Sequence, residues 1–151
     1  MSRRRSSSSS APRSSTGREV AKPDELQLAL PYELTPENAP RFAADIVAQS
    51  ASQGILLDYS ADSLGYLDSV VESLRANRIT VEQVGEVLLA FGCYLGETIL
   101  RATGGRWVGH TGALPIAVRA ADGTTSDPVA YAFTTLAGGA TFASFYDAIA
   151  G

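Results

Sequence analysis

The chain has 151 residues, 45% of them apolar, which is enough for one domain with its own core. No run approaches the roughly 18 apolar residues of a membrane helix, and a single cysteine, Cys93, excludes an internal disulfide and fits a reducing cytoplasm. The formal charge of −4 is unevenly divided: residues 1–18 carry five Arg and no acid, while the remainder carries seven basic and sixteen acidic residues, a net of −9. An acidic body of this kind is repelled by nucleic acid and by anionic membrane.

Residues 1–25 read as a disordered Ser/Arg-rich basic tail, since SRRRSSSSSAPRSSTGR has nothing to bury. The tail is either a weak electrostatic arm, for nucleic acid or for the acidic body, or a spare extension. It has no interleaved aromatics to grip a base. The basic start is not followed by an apolar segment, so no secretory signal is expected. Residues 26–151 read as one α+β domain.

Leu26 to Leu34 is apolar and extended around Pro31, a short strand or irregular segment against the body. Thr35-Pro36-Glu37 carries the marks of a helix start: a capping hydroxyl, Pro at the first position and an acid in the first turn. Phe42, Ile46, Val47 and Ser50 form one face of that helix to about Ser52, and Gly54 closes it. Ile55 to Tyr59 is short and apolar enough for a buried strand. Ser60 or Asp62 caps the next helix, whose inner face is Leu64, Leu67, Val70, Val71 and Leu74. Asp62, Asp68 and Glu72 fall on the other side. They read as a solvated face, because no His or third carboxylate completes a metal site.

Thr80 to Thr103 is the long central helix. Thr80 is its cap, Glu82 suits the positive end of the dipole, and Gly104-Gly105 stops it. That is about 24 residues, or about 36 Å. Val81, Val84, Leu88, Phe91, Leu95 and Ile99 lie on one side, and Val87, Leu89 and Leu100 widen the apolar arc to over half the circumference. Gln83, Glu86, Tyr94, Glu97 and Arg101 form the opposite strip, with Glu97 and Arg101 spaced for an ion pair. Gly85, Gly92 and Gly96 cluster on one edge. Each costs roughly 0.8–1 kcal/mol relative to Ala, so the row implies a compensating close contact. That contact is either another backbone packed inside the fold or a groove for a partner or ligand.

Arg106 to His110 and Leu114 to Arg119 read as two strands, the second at an edge because of Pro115. Ala120 to Gly123 has turn chemistry. Asp127-Pro128 caps a helix over 128–137, with Val129, Phe133 and Leu136 inward. Gly138-Gly139 ends it, and Thr141 caps a last helix with Phe142, Phe145 and Ile149 inward. The expectation is a mainly helical α+β fold: about five helices, a small antiparallel sheet and one dominant helix over 80–103.

The order of motifs resembles small bacterial domains of unknown function. These carry a Ser-Leu-x-x-Leu-Asp helix, a Gly-x-Tyr-x-Gly-Glu helix, a Gly-x-Trp strand and a late pair of helices opened by Pro and divided by Gly. The matching residues are Ser63, Leu64, Leu67 and Asp68; Gly92, Tyr94, Gly96 and Glu97; Gly105 and Trp107; Pro128 and Gly138, spanning roughly residues 55–150. Some proteins of this general shape look like immunity or regulatory proteins, and the resemblance supplies no catalytic residues.

Candidate chemistry is sparse. His110 is the only histidine and the natural general base. Glu97, Arg106 and Trp107 stand near enough in sequence to share a corner with it, as an acid–base or anion site. Against that, His110 is flanked by glycines and has no evident orienting partner, Trp107 suits the core, and Glu97 can pair with Arg101. Gly104-Gly105-Arg106 could offer backbone N–H groups to an anion, although a helix stop explains the glycines. No phosphate loop, dinucleotide fingerprint, zinc spacing or nucleophile motif is present, so no cofactor, metal or catalytic set is assigned. The composition favours a non-catalytic protein-interaction module with a basic protein partner. The alternative is a small enzyme or ligand-binding domain at Glu97, Arg106, Trp107 and His110.

Overall fold

The computed structural model describes residues 29–151. The expected tail over 1–25 and the first residues of the 26–34 segment lie outside them. Five helices and a three-stranded antiparallel sheet follow in order: α1 (Ala39–Ala51), α2 (Ala61–Ala76), α3 (Val81–Thr103), β1 (Arg106–Gly109), β2 (Ile116–Arg119), β3 (Thr125–Ser126), α4 (Pro128–Thr135) and α5 (Phe142–Ile149). None of these helices is long and apolar enough to cross a membrane.

The central helix has neighbours on several sides, as its wide apolar arc requires. α1 and α4 make its main contacts, and α2 and α5 touch it as well. Leu88, Leu95 and Ile99 are fully buried in the common core with Phe133 and Phe142. Gln83 Oε1 accepts the Thr80 N–H at 2.9 Å and so closes the amino end. At the carboxyl end Gly104 takes the left-handed conformation, φ 82°, and its N–H bonds to the Leu100 carbonyl. The helix is not straight: Val84 leaves helical geometry at φ −128°, ψ 21°. It stands beside Gly85, where the backbone is least constrained.

Two local expectations are corrected, and a third is decided between its two alternatives. The first helix begins at Ala39 rather than at Pro36. The Thr35 carbonyl accepts from both Asn38 and Ala39, closing a separate turn, and Pro40 falls in the first helical turn where its missing N–H costs nothing. Ile55–Tyr59 is not a strand. No partner strand adjoins it among the described residues, Leu56 is 84% exposed, and Tyr59 turns to φ 63°. Ala29 to Leu34 is likewise irregular, with a bend at Pro31–Tyr32.

The sheet differs in one respect. β2 is the central strand, not an edge, with β1 and β3 on its two sides. Pro115 sits just before β2, where it needs to donate nothing, and its carbonyl instead accepts the His110 N–H at 2.9 Å. The two-residue β3 was not evident from composition. It is created when the Ala120–Gly123 turn folds the chain back, with Ala120 N–H bonded to the Thr124 carbonyl at 2.8 Å.

Asp68 is a further correction. It does not simply face water: its two carboxylate oxygens accept the Phe142 and Ala143 N–H groups at 2.7 and 3.2 Å. A carboxylate on α2 thereby satisfies the free amides at the start of α5, where the helix dipole also favours negative charge. Thr141 adds its own cap to Ser144 N–H.

Candidate functional site

The Gly92-x-Tyr94-x-Gly96-Glu97 stretch of α3 holds four separate elements together. At Gly92 the α4 main chain lies almost against α3: a Cβ there would stand 2.5 Å from Val129 Cα and 3.1 Å from the Pro128 carbonyl oxygen. At Gly96 the close neighbour is a side chain, since a Cβ would overlap the Trp107 ring. The row is therefore a packing edge inside the fold at both positions, for a backbone at one and an indole at the other.

Tyr94 does not share a solvated strip with Glu97, as simple helical counting suggests, but is fully buried. Its hydroxyl accepts the Tyr59 N–H at 2.7 Å and lies 2.6 Å from Ser63 Oγ. Ser63 Oγ in turn donates to the Ser60 carbonyl at 2.6 Å. The proton order follows from these contacts: Tyr59 N–H to Tyr94, Tyr94 O–H to Ser63, Ser63 O–H to the carbonyl. Burial raises the Tyr94 pKa above the ordinary phenol value, so it remains a neutral donor. The chain of bonds locks the left-handed turn at Tyr59 onto the start of α2. The Tyr59 ring stacks on Tyr94 with centroids 4.8 Å apart, and the Arg101 guanidinium lies 3.7 Å above the Tyr59 centroid.

The four candidate residues have different surroundings. Trp107 is 8% exposed and donates its indole N–H to Glu97 Oε2 at 2.8 Å. Glu97 is thus engaged by Trp107, and Arg101 by an aromatic face. The expected Glu97–Arg101 ion pair is not formed. Arg106, one residue before Trp107 on β1, points the opposite way and is exposed. His110 follows β1. Its Nε2 stands 3.7 Å from Asp127 Oδ2, with both side chains partly buried. No hydrogen bond joins Glu97, Arg106 and His110 to one another among the described residues.

Asp127 is a partner for His110 that the sequence did not disclose. It does cap α4, accepting the Ala130 N–H at 3.1 Å. Desolvation raises its pKa, while the Ala130 bond and the nearby imidazole pull it down. The separation of 17 residues carries no motif, so only the fold could bring the two together. Cys93 is buried, with its pKa pushed well up by desolvation and so held as the thiol. Among the described residues no three His, Cys, Asp or Glu side chains gather as a metal site would need.

A small cleft of about 270 Å³ lies on the other side of β1. The Gly104-Gly105 stop and the Ala120-Ala121 turn form its walls, and Arg106 and Arg119 border it. These two arginines are direct partners in the β1–β2 register. Alternation along two facing strands was the available signal for Arg119, but only once the register is known. No family model, curated protein or solved structure matches the chain.

Proposed function

We propose that the protein is a non-catalytic interaction module, of an immunity-like, inhibitory or regulatory kind, whose acidic body binds a basic protein. The observation that carries this reading is the state of its charges. Residues 29–151 hold thirteen Asp and Glu against six Arg. Among them no Arg comes within 4 Å of a carboxylate, the His110–Asp127 approach being the sole ionic contact. Asp58, Asp62, Glu72 and Glu82 are exposed. Charges left unneutralised within a fold are available for steering and registering an oppositely charged surface. A bacterial, cytoplasmic setting is part of the same proposal. It rests on the resemblance of the motif order to small bacterial domains and on the unpaired thiol of Cys93.

The test is capture from the native host with and without residues 1–25, followed by titration of the purified pair. The expected partner is basic, binds more weakly as salt rises, and loses tenfold or more in affinity to a D62K/E72K variant. Absence of a reproducible partner in either form, or binding indifferent to salt and to both substitutions, overturns the reading.

A second reading, a small enzyme or ligand-binding domain, is favoured by one observation: His110 beside the half-buried Asp127. In that case His110→Ala abolishes a turnover or ligand response while leaving partner capture intact.

A further inference from the structure

We infer that the cleft between Arg106 and Arg119 is a binding site for a small phosphate-bearing anion. The two arginines are Cα partners on adjacent antiparallel strands, both exposed. Like charges placed directly opposite in such a pair destabilise a sheet. Nothing in the described residues offsets this pair: no carboxylate reaches within 4 Å of either guanidinium. Asp122, in the adjoining turn, uses its Oδ1 to accept the Thr124 N–H at 2.9 Å. The carboxyl end of α3 contributes only about half an elementary negative charge. Two guanidinium charges therefore border the cleft with no intramolecular ion pair.

The walls fit a small ligand. Gly105 is pressed against the Arg119 main chain so closely that a Cβ would overlap its carbonyl oxygen, and this draws the two strands' ends together beneath the arginines. Gly104, Ala120 and Ala121 line the cleft with small residues, and nothing stands within 4 Å of where a Cβ at Gly104 would be. At about 270 Å³ the space is below the ~300–1,000 Å³ of pockets that hold drug-sized molecules or cofactors. A phosphate group and a short attachment suit it. Guanidinium forks bind phosphate oxygens bidentately, which ammonium groups do not. The site is independent of the acidic surface assigned to the protein partner.

The probe is inorganic phosphate, titrated at constant ionic strength against chloride and followed by amide chemical shifts and by melting temperature. Saturable shifts centred on residues 104–106 and 119–121, with a rise in melting temperature, are expected. Arg106→Gln and Arg119→Gln should each weaken phosphate binding at least tenfold. Arg119→Gln alone, by removing one of two facing like charges, should melt no lower than the wild type without phosphate, which separates lost binding from lost folding. Absence of saturable shifts, or an equal phosphate response in wild type and in both variants, overturns the inference.

Discussion

Replacing Gly92 by Ala tests the packing of α3 against α4 in its most economical form, a single methyl group. Inside a helix the change should stabilise by about 0.8–1 kcal/mol through propensity alone. The new Cβ, however, would stand 2.5 Å from Val129 Cα, 3.1 Å from the Pro128 oxygen and 3.2 Å from Ala132 Cβ. Two of these three neighbours are main-chain atoms, and Val129 and Ala132 are wholly buried, so no flexible side-chain end can yield. Overpacking of a close-packed core costs about 1–3 kcal/mol, and a rigid neighbour places this site in the upper part of that range. The net expectation is a loss of about 1–2 kcal/mol. For a folded domain of this size that is a fall of roughly 4 °C per kcal/mol in melting temperature. Gly92→Leu should exceed 2 kcal/mol, about the scale of severe overpacking. Gly65, exposed in the middle of α2 with nothing within 4 Å of its would-be Cβ, is the internal control. There the same Gly→Ala change should stabilise by about 0.8–1 kcal/mol. Urea unfolding of the two variants should give shifts of opposite sign with unchanged m-values. A Gly92→Ala protein as stable as the wild type, or matching Gly65→Ala, would refute the close-approach argument.

Glu97→Gln keeps an acceptor for the Trp107 indole and should cost about 1 kcal/mol, whereas Glu97→Ala strands that donor and should cost about 2–3 kcal/mol. Trp107 is the sole tryptophan, so its fluorescence reports the site directly, and equal losses for Gln and Ala would rule out the hydrogen bond as the cause. Tyr94→Phe removes the oxygen that accepts the Tyr59 N–H and should cost about 1–3 kcal/mol. Hydrogen exchange at Tyr59 should quicken, and unchanged protection there would contradict the proposed chain of bonds. For Asp127 the folded pKa is raised, so the native state binds the proton more tightly than the unfolded chain does. Its contribution to stability therefore grows as pH falls from the raised value toward the ordinary 3.8, and is absent at neutral pH. Asp127→Asn, which can still accept the Ala130 N–H, should flatten that dependence and leave stability at pH 7 equal or higher. A pH profile identical to the wild type would show that Asp127 is not the group responsible.

Helix termini were the most legible features, because capping chemistry is local. Thr80 and Gly104 bracket α3, Ser60 caps α2, Asp127-Pro128 opens α4 and Thr141 opens α5, all as their residue types imply. The start of α1 was misread for a local reason, because the Thr35 carbonyl closes its own turn first. The other misreadings came where a distant partner decides the outcome. Ile55–Tyr59 has strand composition, yet its one decisive hydrogen bond goes to the Tyr94 hydroxyl 35 residues away. Asp68 has the spacing of a surface acid and instead caps a helix 74 residues on. Tyr94 lies on the polar side by angle, but α3 is enclosed there as well. Of the candidate site residues, Trp107 and Glu97 are brought together as sequence proximity suggested. The company of His110 and Arg106, namely Asp127 and Arg119, depends on strand register and on the return of α4. Neither is encoded within a short window.

Several polar residues bear on function through what they are already doing. Glu97 holds an indole, Tyr94 a strained loop and Asp68 a helix start, while Arg101 and Arg41 lie over the rings of Tyr59 and Tyr32. A catalytic acid or base must change partners during a reaction, and groups that fix separate elements of the fold cannot do so without loosening it. The charged residues free of such duties include exposed carboxylates on and around α2, Arg75 and Arg78 at its carboxyl end, and the facing arginines on β1 and β2. α2 packs on α5 and α3, whereas the sheet packs on α4 and, through Trp107, on α3. The Arg106–Arg119 cleft shares no lining residue with α2, so on the proposed reading its occupation does not compete with a basic protein held by the acidic surface there. On the proposed reading the exposed carboxylates and the arginine cleft do the recognising, and the long helix, whose polar groups hold neighbouring elements in place, acts as scaffold.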